Sequence, residues 1–168
     1  MTQDNNLYAP PRAEVADVSQ LSTPPGTAPK LWNPNAAASW SLLFTPVFGA
    51  WLQMKNWQAL GEPEKAAISK NWMLGTAVFL VLAVLLSVVL PDERVSDVLG
   101  RVSGLALLFA WYYAHGKSQN AYVEARFGKT YPRQNWGRPL LLGLLAYVGF
   151  LVLSVAVGFA AGMLLDAA

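Results

Sequence analysis

Two stretches of this chain carry no charge at all: 19 residues from Trp72 to Leu90 and 27 from Pro139 to Leu165. A helix needs about 20 apolar residues to cross the hydrocarbon core of a bilayer, and in lipid its backbone N–H and C=O groups must be satisfied within the segment. Both runs meet that requirement. In water they would leave two helices apolar on every side with nothing to cover them. The chain therefore reads as an all-α membrane protein. Its composition agrees, because 54% hydrophobic and 13% charged residues is too apolar for an ordinary soluble domain of this length.

Residues 1–30 hold Pro10, Pro11, Pro24, Pro25 and Pro29 among polar residues, which predicts a disordered N-terminal tail. Residues 31–168 are expected to form one transmembrane domain with helices over about 37–54, 72–90, 95–114 and 139–165. The first segment is short, and Pro46 within it removes a backbone donor and predicts a kink. Such a segment fits either a crossing or a re-entrant hairpin. An internal similarity at an offset of 64–65 residues favours the crossing. Leu42-Leu43-Phe44 answers Leu107-Leu108-Phe109, and Lys70-Asn71-Trp72 answers Gln134-Asn135-Trp136. The expected architecture is thus four transmembrane helices arranged as two tandem helix–linker–helix repeats.

Four crossings place linkers 55–71 and 115–138 on one side. These contain eight basic residues, against four elsewhere (Arg12, Lys30, Arg94 and Arg101). The excess of Lys and Arg predicts cytoplasmic linkers, with both termini periplasmic. Trp40, Trp51, Trp72, Trp111 and Trp136 fall near helix ends and are expected to form an interfacial aromatic belt. Ser96, Gly100 and Gly104 recur every four residues on the third helix, as do Ser154, Gly158 and Gly162 on the fourth. Small side chains at that spacing let helix backbones approach closely, so the two stripes are expected to pack on each other.

The remaining candidates lie in the second linker, where His115, Lys117, Tyr122, Arg126 and Phe127 combine basic and aromatic character. That chemistry suits a lipid-headgroup surface or a protein partner. His115 is the only histidine, and Glu124 is its nearest acidic neighbour in sequence. No catalytic, metal-ligating or cofactor-binding spacing appears, and the absence of cysteine removes thiolate sites. A net charge of +2 leaves no electrostatic footprint for nucleic acid. Ionisable groups of the kind that coupled transport relies on are missing from the two long apolar helices.

The strings Trp32-Asn33-Pro34-Asn35-Ala36-Ala37-Ala38-Ser39-Trp40-Ser41-Leu42-Leu43-Phe44-Thr45-Pro46 and Asn56-Trp57-Gln58-Ala59-Leu60-Gly61-Glu62-Pro63-Glu64 resemble uncharacterised small inner-membrane proteins of Gram-negative bacteria. The likeness covers much of residues 32–140. It implies a fold and a bacterial inner-membrane location but carries no active site. The expected function is non-enzymatic: protein–protein binding in or on that membrane, in its specific form an immunity protein that neutralises a membrane-targeting toxin. The alternative is a small oligomeric pore or uncoupled transporter. Expected partners are the lipid bilayer, a protein such as a toxin, and further copies of the chain.

Overall fold

A computed structural model describes residues 28–90 and 92–166, the side chains of residues 93, 165 and 166 excepted. The tail expected over residues 1–30 lies almost wholly outside these residues. Five α-helices follow in order: α1 (Pro34–Ala59), α2 (Pro63–Val89), α3 (Glu93–Trp111), α4 (Lys117–Phe127) and α5 (Gly137–Asp166). A single π-helical turn, Tyr112–Gly116, joins α3 to α4.

Local chemistry explains where these helices begin and end. Pro34 and Pro63 occupy first-turn positions, where their missing N–H costs nothing. Asn33 caps α1 by accepting from the amides of Asn35 and Ala36, and Asp92 caps α3 by accepting from Arg94 and Val95. Gly128 closes α4 with a φ of +67°, a left-handed turn that favours glycine.

The first apolar segment is not one rod. At Thr45 the backbone leaves the helical region (φ 69°, ψ 164°), and Pro46 begins a second arm. The arms, 34–44 and 46–59, fold back on each other. Ala37 packs in one cluster with Phe48 and Leu52, although a continuous helix would hold residues 37 and 52 about 22 Å apart along its axis. Trp32 stacks near Trp51, with ring centroids 6.5 Å apart. Asn56 hydrogen-bonds the backbone of Trp32 at both its N–H and its C=O. The expected single helix over 37–54 is replaced by a helical hairpin whose two ends lie at the same end of the molecule.

Among the described residues three helices are long and apolar enough to cross a membrane: α2, the continuous stretch from α3 through α4, and α5. The most apolar windows of α2 and α5 are each only 6% buried, so their long faces are left for lipid. The hairpin wedges between them at the linker end. One of its faces meets Trp136, Leu140 and Gly143 of the α5 region. Its other face meets Leu108 and Trp111 of α3 and Trp72 and Met73 of α2.

Two further expectations change in this arrangement. The segments paired by the internal similarity have different backbones, since Leu42–Phe44 ends a hairpin arm whereas Leu107–Phe109 lies inside the uninterrupted α3. The small-residue stripes do not meet each other. A Cβ placed on Gly100, Gly104, Gly158 or Gly162 would touch nothing within 4 Å. Instead α5 leans on α2 through Phe150, Ser154 and Val157, which line a small gap shared with Val81, Val84 and Leu85.

Gly49 marks the tightest crossing. A Cβ there would strike Ser41 Oγ of the opposite arm and stand 2.9 Å from Trp111 Cζ2. Gly49→Ala should therefore destabilise the fold by about 1–3 kcal/mol, the usual cost of overpacking. Thr45→Gly should act oppositely. A β-branched residue in that backbone region costs about 1–3 kcal/mol, more than the roughly 0.4–1 kcal/mol that glycine adds through the unfolded chain. Thermal unfolding in detergent should show a lower midpoint for the first variant and a higher one for the second.

Candidate functional site

The hairpin is held by a buried polar latch. Asn56 Nδ2 donates to the carbonyl of Trp32 at 2.8 Å and to Gln119 Oε1 at 3.0 Å, while Asn56 Oδ1 accepts from the amide of Trp32 at 3.0 Å. Gln119 Nε2 donates to the carbonyl of Gln53 at 2.9 Å. Gln53 Nε2 in turn donates to the carbonyl of Gly116 at 2.7 Å, inside the π-helical turn. Gln53, Asn56 and Gln119 are all at most 1% exposed. Buried amides left without partners would be costly, so this network fixes the hairpin against α4. Leu31 adds a short β-like bridge to the loop before α5, accepting from Gln134 N and donating to Pro132 O.

Above this latch, between the hairpin tip, α2 and α5, lies an open-sided cavity of about 520 Å³. Phe44, Phe48 and Trp51 form its hairpin wall, Met73, Ala77 and Val81 its α2 wall, and Leu142, Ala146 and Phe150 its α5 wall. No lining residue is charged, and only Thr45, Trp51 and Tyr147 bring polar side-chain atoms. The α2 and α5 walls belong to the two charge-free runs. The second arm, 46–59, rises about 20 Å at 1.5 Å per residue. From Lys55 to Pro46 that rise is about 14 Å, so with Lys55 at the headgroup level the tip would enter a hydrocarbon core about 30 Å thick but stop short of its middle.

The expected interfacial tryptophans serve the hairpin. Trp111 is fully buried against Ala50 and Leu108. Trp72 packs on that same cluster, and Trp40, Trp51 and Trp136 pack on the Ala37–Phe48–Leu52 cluster. Periodicity alone could not reveal this, because an apolar tryptophan near a helix end suits a lipid interface and a helix crossing equally well.

The second-linker candidates separate into two groups. His115 is nearly buried, with Nε2 2.7 Å from Ser69 Oγ on α2. The Ser69 hydroxyl also lies 3.0 Å from the Lys65 carbonyl, and the imidazole tautomer decides which of Ser69 and His115 donates to the other. Glu124 does not join this pair; it lies 3.6 Å from Lys129 instead. Tyr122 ties α4 to the start of α2, donating to Glu62 at 2.6 Å and packing edge-on against Trp57. Arg126 donates to the Tyr122 hydroxyl at 2.7 Å and lies over the Phe127 ring. Lys117 stands over Tyr113, 5.1 Å from the ring centroid. Neither Ser69 nor the Gln53–Asn56–Gln119 latch carries a sequence signal, since each depends on partners 24–66 residues away.

The hydrogen bond from Tyr122, reinforced by Lys65, holds the Glu62 carboxyl below its ordinary range. A carboxylate with a depressed folded pKa stabilises the fold above its unfolded pKa and loses that contribution as pH falls through the folded value. Tyr122→Phe should raise the Glu62 pKa towards that of a free carboxyl. Side-chain carboxyl NMR should then show titration beginning at higher pH than in the unmodified protein.

No family model, curated protein or solved structure matches this chain.

Proposed function

We propose that this chain is a three-span protein of the bacterial inner membrane that acts by binding and not by chemistry, and that its binding site is the cavity beneath the hairpin tip. The observation that carries this reading is the cavity itself. It lies within the 300–1,000 Å³ range of small-molecule sites, yet its walls are uncharged and almost wholly apolar. An ion path needs polar or charged groups along its length. Walls of this kind, at hydrocarbon depth and open on one side, suit an apolar chain that enters from the surrounding lipid.

The fold also supports an orientation that differs from the four-crossing expectation. With the hairpin re-entrant, Lys30 joins the eight basic residues of the linkers, leaving Arg94 and Arg101 as the described basic residues at the far end. Nine against two is a stronger bias than eight against four. On the positive-inside rule, the hairpin ends and both linkers face the cytoplasm, and the chain leaves the membrane on the periplasmic side after α5.

A second reading keeps binding but makes the ligand a protein, of which an immunity protein against a membrane-targeting toxin is the specific form. The open faces at Gly100, Gly104, Gly158 and Gly162 support it, since small residues with nothing against them accept a second helix. Loss of a co-purifying partner in Gly100→Leu and Gly158→Leu would favour this reading. A pore assembled on the same faces would pass solute in liposomes.

An uncharged diacylglycerol carrying a photoreactive diazirine on one chain tests the first reading. Labelling should map to the cavity walls by peptide mass spectrometry and fall at least severalfold in Ala77→Phe/Ala146→Phe, which fills the space. Labelling spread evenly over the lipid-facing helices and unchanged by the filled variant would contradict it.

A further inference from the structure

The three walls of the cavity end in the same chemistry. On the second hairpin arm Trp51 lines the cavity, and Lys55 follows four residues later. On α2 Met73 lines it, and Lys70 precedes by three residues. On α5 Leu142 lines it, and Arg138 precedes by four residues. Side chains three or four residues apart lie near one another along a helix, one turn apart. Chain direction places each cation on the linker side of its wall, because the arm runs toward the linkers whereas α2 and α5 run away from them.

These cations are available. All three are exposed. Among the described residues the ion pairs are Lys65 with Glu62, Arg101 with Asp97, and Lys129 with Glu124, so none of the three is neutralised in this way. The offset of about one turn, 5–6 Å, puts each of the three charges just outside the apolar wall of its own element on the linker side. Long basic side chains at such a depth reach outward to the headgroup region.

We propose that the cavity and these three cations form one site for an anionic phospholipid of the linker-side leaflet. One acyl chain occupies the space beneath the hairpin tip, and the phosphate sits among Lys55, Lys70 and Arg138. The argument is charge complementarity. An uncharged cavity with three unpaired cations at its mouth matches a molecule with an apolar chain and a net negative head, whereas a zwitterionic lipid brings its own cation to the same place. This inference rests on the binding function proposed above and gives that ligand its class.

Native mass spectrometry of the full chain in detergent, offered phosphatidylglycerol, phosphatidylcholine or inorganic phosphate, tests it. Phosphatidylglycerol should be retained in preference to phosphatidylcholine, and inorganic phosphate alone should not be retained. At about 1 kcal/mol per basic residue near an anionic surface, each neutralisation should lower the preference about fivefold. The single variants Lys55→Gln, Lys70→Gln and Arg138→Gln should thus each reduce it, and Lys55→Arg/Lys70→Arg should keep it. Arg94→Gln, at the far end of the molecule, should change nothing. Equal retention of both lipids, or a preference unaltered by the three Gln variants, would overturn the anionic assignment while leaving apolar binding intact. Loss of both lipids together in Ala77→Phe/Ala146→Phe would support the cavity as the place of binding. Retention of both at wild-type levels in that filled variant would remove the cavity, and the proposal with it.

Discussion

The fold depends on one carboxamide. Asn56 satisfies both backbone groups of Trp32 and reaches Gln119, so it joins the start of the hairpin, its end and α4 in a single buried contact. A hydrogen bond contributes only about 1 kcal/mol net in a protein, but a buried group deprived of its partner costs about 1–3 kcal/mol. Near lipid there is little water to make up the loss. The tie at the far end of the hairpin therefore helps hold the turn that the chain makes at Thr45.

That tie offsets an unfavourable turn. Thr45 sits in a backbone region that side chains rarely adopt, and Pro46 makes an ordinary helical continuation harder still. What compensates is packing. Gly49 lets the second arm approach both the first arm and Trp111, and Gly143 lets α5 approach Phe48, whose ring would be 2.9 Å from any added Cβ. A wedge of two short arms holds α2 and α5 apart beside it, and the cavity is the space left before the two helices meet at Val81–Leu85 and Phe150–Val157.

The two charge-free helices were legible in the sequence because length and apolarity suffice in a bilayer. Pro46 was legible as a break, and the basic linkers as one common side. The direction of the chain after the break was not. Residues 37–54 have the composition of a short span, and what decides between span and hairpin is a contact between Trp32 and Asn56, 24 residues apart. The Leu-Leu-Phe similarity does not carry over to a shared backbone path, because apolar helices share such triplets whatever their path. Lys55, Lys70 and Arg138 were visible as an orientation signal. Their place one turn beyond the three cavity walls appears only once the hairpin brings the first of them beside α2 and α5.

A cysteine-free chain makes the central claim directly testable. Asn35 and Gln58 are exposed near the two ends of the hairpin, and Arg94 is exposed at the start of α3. Single cysteines at 35, 58 and 94 can be labelled with a membrane-impermeant maleimide in intact spheroplasts and in inverted vesicles. The hairpin predicts that positions 35 and 58 react from the cytoplasmic side and position 94 from the periplasmic side. Reaction of 35 and 58 from opposite sides would mean that the first segment crosses the membrane, and would contradict the account.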